Sequence, residues 1–122
     1  MIDEIGEPVF LTRFPAAMKS FYMQRCADDE RLTESVDLLV PGVGEVAGGS
    51  MRLYRYEDTL RALERQGLDK DQYYWYTDIR KYGAAPHGGC GVGVDRLCCW
   101  LLGVPNIRDV VMYPRLEGQL MP

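Results

Sequence analysis

Apolar and polar positions fall along this chain in short blocks, each of which predicts an element. P-V-F-L-T-R-F over 8–14 reads as a strand that stops at Pro15, because proline offers no N–H to a ladder and restricts the residue before it. S-F-Y-M-Q-R over 20–25 reads as a second strand, and the polar run 28–33 as a surface loop. Two extended segments, 36–40 and 44–52, flank Pro41-Gly42-Val43, a turn signal that predicts an antiparallel hairpin. Gly48 and Gly49 interrupt its second arm, which marks a bulge or the close approach of another molecule. Tyr56, Leu60 and Leu63 recur at helical spacing before Gly67 and predict a surface helix. A second helix is expected from Asp69, with Gln72 as its capping partner, carrying Trp75, Ile79 and Tyr82 on one face up to Gly83.

Glycines at 88, 89, 91 and 93 then give way at once to Val94, Leu97, Cys98 and Leu101 at helical spacing. A bare strand is expected to run straight into a helix over 94–102 that lies across the sheet, with a last strand over 107–113. Strands in mostly antiparallel order with helices between them give an α+β class, a mostly antiparallel sheet with flanking helices.

At 122 residues the chain is long enough to bury one real core and is expected to form one compact unit. Its net charge of −4 removes the broad basic field by which proteins grip nucleic acid, though not a local patch. Cys26, Cys90, Cys98 and Cys99 form no C-x-x-C pair, and two of them sit in an apolar helical stripe. They read as buried thiols of a reducing, cytosolic compartment rather than as disulfides or a zinc site. No window approaches the ~18 apolar residues of a membrane span, and the N-terminus is acidic rather than signal-like.

The candidate chemistry starts at the glycine strand. Glycines let a backbone lie against a flat or charged ligand, and a helix start presents unpaired N–H groups. Arg96, in that first turn, costs up to ~1 kcal/mol against the dipole unless an anion lies nearby, which points to a nucleotide. In the hairpin, a turn centred on Pro41 sets Asp37 opposite Glu45, with the two carboxylates about 5 Å apart on one side. Opposed like charges destabilise a sheet, so either a cation lies between them or one takes up a proton. Mg²⁺ shared with a substrate phosphate is the economical choice, whereas a register off by one would leave two ordinary surface acids. Arg52, at an odd separation from Glu45, joins their side only if the glycine pair forms a bulge; it could then hold a carboxylate in bidentate fashion, and otherwise it is a surface arginine. His87, the only histidine, lies between Pro86 and two glycines with no nucleophile pattern beside it. It reads as a ligand-contacting or loop-ordering residue. The row Tyr73, Tyr74, Trp75, Tyr76 reads as packing rather than a base-stacking platform, and Lys19 and Tyr22 are weak signals alone.

Taken in order, F-P-A-A-M-K-S-F-Y-M, S-V-D-L-L-V-P-G-V-G-E-V-A-G-G-S-M-R, Y-Y-W-Y-T-D-I-R-K-Y-G with P-H-G-G, G-V-G-V-D-R-L and I-R-D-V-V-M-Y-P-R resemble the C-terminal half of the catalytic core of class II aminoacyl-tRNA synthetases. G-V-G-V-D-R-L resembles the third signature motif of that class. K-S-F-Y-M, G-E-V-A-G-G-S and Y-W-Y-T-D-I-R resemble the eukaryotic-type cytosolic asparaginyl branch.

The resemblance implies a ligase that uses ATP and Mg²⁺ to activate asparagine and transfer it to tRNA(Asn), acting in the cytoplasm as a full-length homodimer. It implies Asp37 and Glu45 as metal ligands, and Glu45, Gly93, Val94, Asp95 and Arg96 around ATP. Arg52, Lys19, Tyr22 and His87 would then face the amino acid, and Arg96 and Glu45 would stand nearest the chemistry. Gly48 stands where aspartyl relatives carry a serine near metal and substrate, and Asp95 where many asparaginyl enzymes carry Glu. The first and second motifs of the family and its anticodon-binding domain find no counterpart. The expectation is therefore a truncated piece, a split-gene product or a shortened paralogue that ligates nothing alone. A corresponding piece of an aspartyl enzyme, or a synthetase-like binding module without catalysis, are the alternatives.

Overall fold

In the computed structural model, which describes residues 2–115, 117 and 118, four strands form one antiparallel sheet in the order β1-β2-β3-β4. They are β1 (Val9–Thr12), β2 (Ser35–Val40), β3 (Gly44–Met51) and β4 (Gly88–Val92). The helices are α1 (Ile2–Ile5), α2 (Tyr56–Arg65), α3 (Tyr74–Lys81) and α4 (Val94–Leu102). The class is α+β, as the pattern of elements predicts.

The hairpin forms because Pro41 and Gly42 make a turn in which Gly42 takes φ +75°, a left-handed conformation that glycine adopts without penalty. Its register differs from the expected one. Met51 N–H donates to the Glu34 carbonyl at 2.9 Å, where a turn centred on Pro41 would set Glu34 against Gly48. β1 ends early because Arg13 has φ +60°, ahead of Pro15. The segment 20–25 is not a strand; it makes only isolated bridges, Met23 with Arg52 and Arg25 with Thr33. The expected last strand is instead a 3₁₀ turn over Ile107–Asp109, because the Asn106 side chain accepts from Arg108 N–H at 3.0 Å and starts a helical turn. Asp69 likewise caps only a turn, accepting from Asp71 N–H, and α3 begins at Tyr74.

The contacts within the chain divide it into two compact units. The first comprises Met1–Leu11, Asp37–Gly48 and Gly91–Pro122. Its buried apolar residues are Val40, Val46 and Cys99, and α4 packs on the 3₁₀ turn that follows it. α4 stops where Gly103 turns left-handed at φ +65°. The second comprises Thr12–Val36 and Gly49–Cys90. There α2 packs on α3, with Leu63 and Cys26 buried beside Thr33, Ser35, Thr59, Thr77 and Arg80.

The apolar face of α2 is the expected one, but that of α3 is reversed. Trp75, Ile79 and Tyr82 are all more than half exposed, while Tyr73 and Tyr76 pack edge-on against Phe21 and Arg80 is buried. Burial of Arg80 is possible because every nitrogen of its guanidinium has an acceptor. Nε reaches the Leu53 carbonyl at 2.7 Å, Nη1 the Tyr76 carbonyl at 2.9 Å and Nη2 the Tyr76 hydroxyl at 2.7 Å.

Candidate functional site

The first unit holds the acidic pair. Asp37 lies on β2 and Glu45 near the start of β3, and both carboxylates lean over the bare backbone of Gly48. A Cβ built on Gly48 would stand 2.7 Å from Glu45 Oε1 and 2.9 Å from Asp37 Oδ1, so those two oxygens are no further apart than the two distances combined. The two carboxylates thus converge over Gly48. Hard carboxylate oxygens on an open backbone fit Mg²⁺, which takes one or two carboxylates and completes its octahedron with phosphate and water. Among the described residues no cluster of three His, Cys, Asp or Glu exists.

β4 and α4 bring the other element of this corner. Gly93 N–H donates to the Val46 carbonyl at 2.8 Å, the backbone enters α4 at Val94, and Asp95 and Arg96 sit in its exposed first turn. Arg96 Nη1 donates to the Glu45 carbonyl at 2.8 Å. The cation of the α4 start and the acid of β3 are thus joined through Glu45's own backbone. Charged residues of both signs therefore share one backbone-lined corner, which suits a polyanion carrying a divalent cation.

The second unit holds Arg52, Tyr22, Lys19 and His87. The Arg52 guanidinium lies over the Tyr22 ring at 4.4 Å from its centroid, and Nη2 donates to the Gly89 carbonyl at 3.4 Å. A hydrogen bond with Ser20, and next one from Arg52, hold the Tyr22 phenol below its usual range. Arg52 N–H donates to the His87 carbonyl at 2.9 Å, while His87 Nδ1 pairs with the Ala85 carbonyl at 2.9 Å and so ties its own loop. Lys19 Nζ lies 3.8 Å above the Phe14 ring. Ser20 and Gly89 are contributors that sequence spacing missed. Gly89 had a signal in its glycine run, since a Cβ there would come within 3.1 Å of Arg52 Nη2. Ser20 had none.

A cavity of about 440 Å³ also opens in this unit, lined by Lys19, Gln24, Arg25, Arg55, Asp58 and Arg65 among others. Neither Tyr22 nor Arg52 lines it, so its size does not mark the Arg52 corner. No helix among the described residues is long and apolar enough to cross a membrane.

Comparison with known proteins adds three findings. The family model described as tRNA synthetases class II (D, K and N) matches residues 2–117. The whole chain is 55% identical to cytoplasmic asparagine--tRNA ligases of Debaryomyces hansenii and Homo sapiens, and it spans 22% of the length of each. Among solved structures, Entamoeba histolytica asparaginyl-tRNA synthetase in complex with asparaginyl-adenylate matches with a TM-score of 0.94 and 54% identity, over 98% of this chain and 28% of that one. The aspartyl tRNA synthetase of the same organism matches with a TM-score of 0.89 and 34% identity, over 95% of this chain and 24% of that one.

Proposed function

Because the chain belongs to the class II tRNA synthetases of the D, K and N group, we propose that it supplies the nucleotide, metal and amino-acid contacts of an asparagine--tRNA ligase. The observation that carries this reading is the convergence of Asp37 and Glu45 over Gly48, with Arg96 bonded to the Glu45 carbonyl. The difference between 54% and 34% identity to the asparaginyl and aspartyl enzymes of one organism favours asparagine.

In this reading Asp37 and Glu45 hold Mg²⁺, which when bound neutralises phosphate charge. Gly93, Val94 and Asp95 present open backbone to the nucleotide, and Arg96 offers its remaining N–H donors to phosphate oxygens without having to be ordered first. Arg52 pairs with the asparagine carboxylate, steadied by Tyr22, with Lys19 and His87 flanking the amino acid. An oxygen of that carboxylate forms a bond to the α-phosphorus of ATP as the bond from that phosphorus to the pyrophosphate oxygen breaks. A hydroxyl of the tRNA's terminal adenosine then takes the acyl group and AMP leaves. Positioning and charge neutralisation carry both steps, so no protein nucleophile is required. The complete ligase acts as a homodimer in the cytoplasm, and this chain alone binds nucleotide weakly at best and ligates nothing.

A thermal-shift titration of the chain with ATP and MgCl₂ tests the reading. A rise in melting temperature that Glu45→Ala and Arg96→Ala each erase supports it. No rise, or a rise indifferent to both substitutions, sinks the nucleotide assignment. Asparagine-dependent exchange of pyrophosphate into ATP by the chain alone would overturn its incompetence.

A further inference from the structure

Apart from Lys19 and its neighbour Ser20, no residue given a role in the ligase chemistry lines the cavity of the second unit. At about 440 Å³ the cavity has the size of a small-molecule site. Its lining carries five cations, Lys19, Arg25, Arg55, Arg61 and Arg65, against two acids, Glu30 and Asp58, in a chain whose net charge is −4.

The sequence of α2 gathers these cations against its own stability. Asp58, Arg61, Ala62 and Arg65 recur at helical spacing and line the cavity, while Thr59 and Leu63 are the buried residues of the helix. Arg61 and Arg65 are like charges four positions apart, which weakens a helix, and Arg55 stands at the N-cap, against the helix dipole. Local partners relieve only part of this. Arg61 pairs with Asp58 through Nη2, and Arg25 Nη1 donates to the Glu30 carbonyl at 2.5 Å. Arg65 has no hydrogen bond or ion pair among the described residues. The lining also has an apolar part in Phe21, Met23 and Leu53, all half-buried, with Phe21 packed edge-on against Tyr73 and Tyr76. Gln24, in the same wall, has its Oε1 shielded from solvent without a hydrogen-bond partner, although a buried acceptor calls for a donor. A turn of that side chain offers the unmet acceptor to the cavity.

We propose that this cavity binds a small phosphate monoester. The arginines hold the phosphate, the apolar wall takes the organic body, and Gln24 Oε1 accepts from a hydroxyl group on that body. Guanidinium forks match phosphate oxygens, and a dianion offsets the repulsion between Arg61 and Arg65. A carboxylate has two oxygens, enough for one fork; the three of a phosphate serve α2 and the segment of Arg25 together.

The test follows the amide signals of the chain by NMR during separate titrations with ribose 5-phosphate, ribose and inorganic phosphate, without divalent cation. Ribose 5-phosphate is expected to shift Gln24, Arg25, Arg61, Ala62 and Arg65 first, and to bind at least about tenfold more tightly than inorganic phosphate because it also covers the apolar wall. Ribose is expected to shift none of them. Arg61→Ala combined with Arg65→Ala weakens the binding at least about tenfold, and Arg65→Gln, which keeps a helix-forming residue and removes only the charge, at least about threefold. Lys81→Ala, at an exposed cation of α3 outside the cavity, changes it less than about twofold and measures general electrostatic attraction.

Shifts that begin at other residues overturn the proposal. So does a loss in Lys81→Ala equal to that in the double variant, which reduces the binding to net charge. Inorganic phosphate binding as tightly as ribose 5-phosphate leaves the apolar wall and Gln24 without a part and overturns it as well. Should the double variant unfold, Arg65→Gln decides, and unchanged affinity there refutes the site.

Discussion

Two helices of this chain each carry an arginine that reaches a backbone carbonyl, and the two corners behave in opposite ways. Arg80 of α3 is 6% exposed and spends its guanidinium on the Leu53 carbonyl, the Tyr76 carbonyl and the Tyr76 hydroxyl, stacked at 3.7 Å over the Tyr76 ring. Burial in turn pushes the Tyr76 phenol up from its ordinary range, although Arg80 pulls it down. Arg96 of α4 is exposed and bonds to one carbonyl, that of Glu45. The same side chain is a rivet where each of its nitrogens is used and keeps donors to offer where it is exposed and bonded through one nitrogen. What separates the two is the number of donors left over, since each buried donor must be paired and each outward one can be offered to an anion.

Replacing both arginines is the strongest way to break that contrast. Arg80→Ala leaves the half-buried Leu53 carbonyl and Tyr76 hydroxyl without their donor and empties a buried site, and a loss of about 3 kcal/mol is expected in urea unfolding. Equal stability of Arg80→Ala and the unsubstituted chain would erase the distinction. Arg96→Ala is expected to cost less than about 1 kcal/mol in the same experiment, because its carbonyl partner can turn to water, while the ATP-dependent rise in melting temperature disappears.

The smallest expected effect comes from a third arginine pair. Arg31 Nε and Nη2, with its backbone N–H, hold the Asp29 carboxyl down to about 2 from an ordinary 3.8. A carboxyl lowered on folding adds stability that is complete above the unfolded value and is lost as pH falls through about 2. Arg31 is exposed, so solvent and salt screen the pair, and Asp29→Asn is expected to lower the melting temperature at neutral pH only slightly. An NMR titration that places the Asp29 midpoint near its ordinary value would show that the contact is not held in solution.

The ease with which sequence revealed these corners follows from how local each one is. α4 could be read to its ends because the glycines before it and Gly103 after it are local signals. The hairpin was legible for the same reason: Pro41 and Gly42 fix a turn without help from the rest of the chain. From that turn alone Asp37 and Glu45 could be placed on one side, although the register could not, since pairing far from the turn is set by bonds such as Met51 to Glu34. α3 was illegible in a more instructive way. Its sequence supports an apolar face of Trp75, Ile79 and Tyr82 and another of Tyr73, Tyr76 and Arg80; Phe21 and the Leu53 carbonyl, both distant in sequence, select the second. A buried arginine cannot be foreseen without seeing its acceptors. Ser20 beside Tyr22 is the same case on a smaller scale.

The neighbour of Gly48 faces a different obstacle. A Cβ on Gly49 would come within 2.9 Å of the Gly89 carbonyl oxygen and 3.0 Å of Cys90 Cβ, the first of them backbone that cannot swing away. In a saturation library, position 49 should therefore be selected for abundance of folded protein alone. Position 48, obstructed only by the ends of two side chains that can swing aside, should pass that selection with many residues. Two adjacent, identical letters would then differ in what stands against a side chain, fixed backbone at one and movable carboxylates at the other.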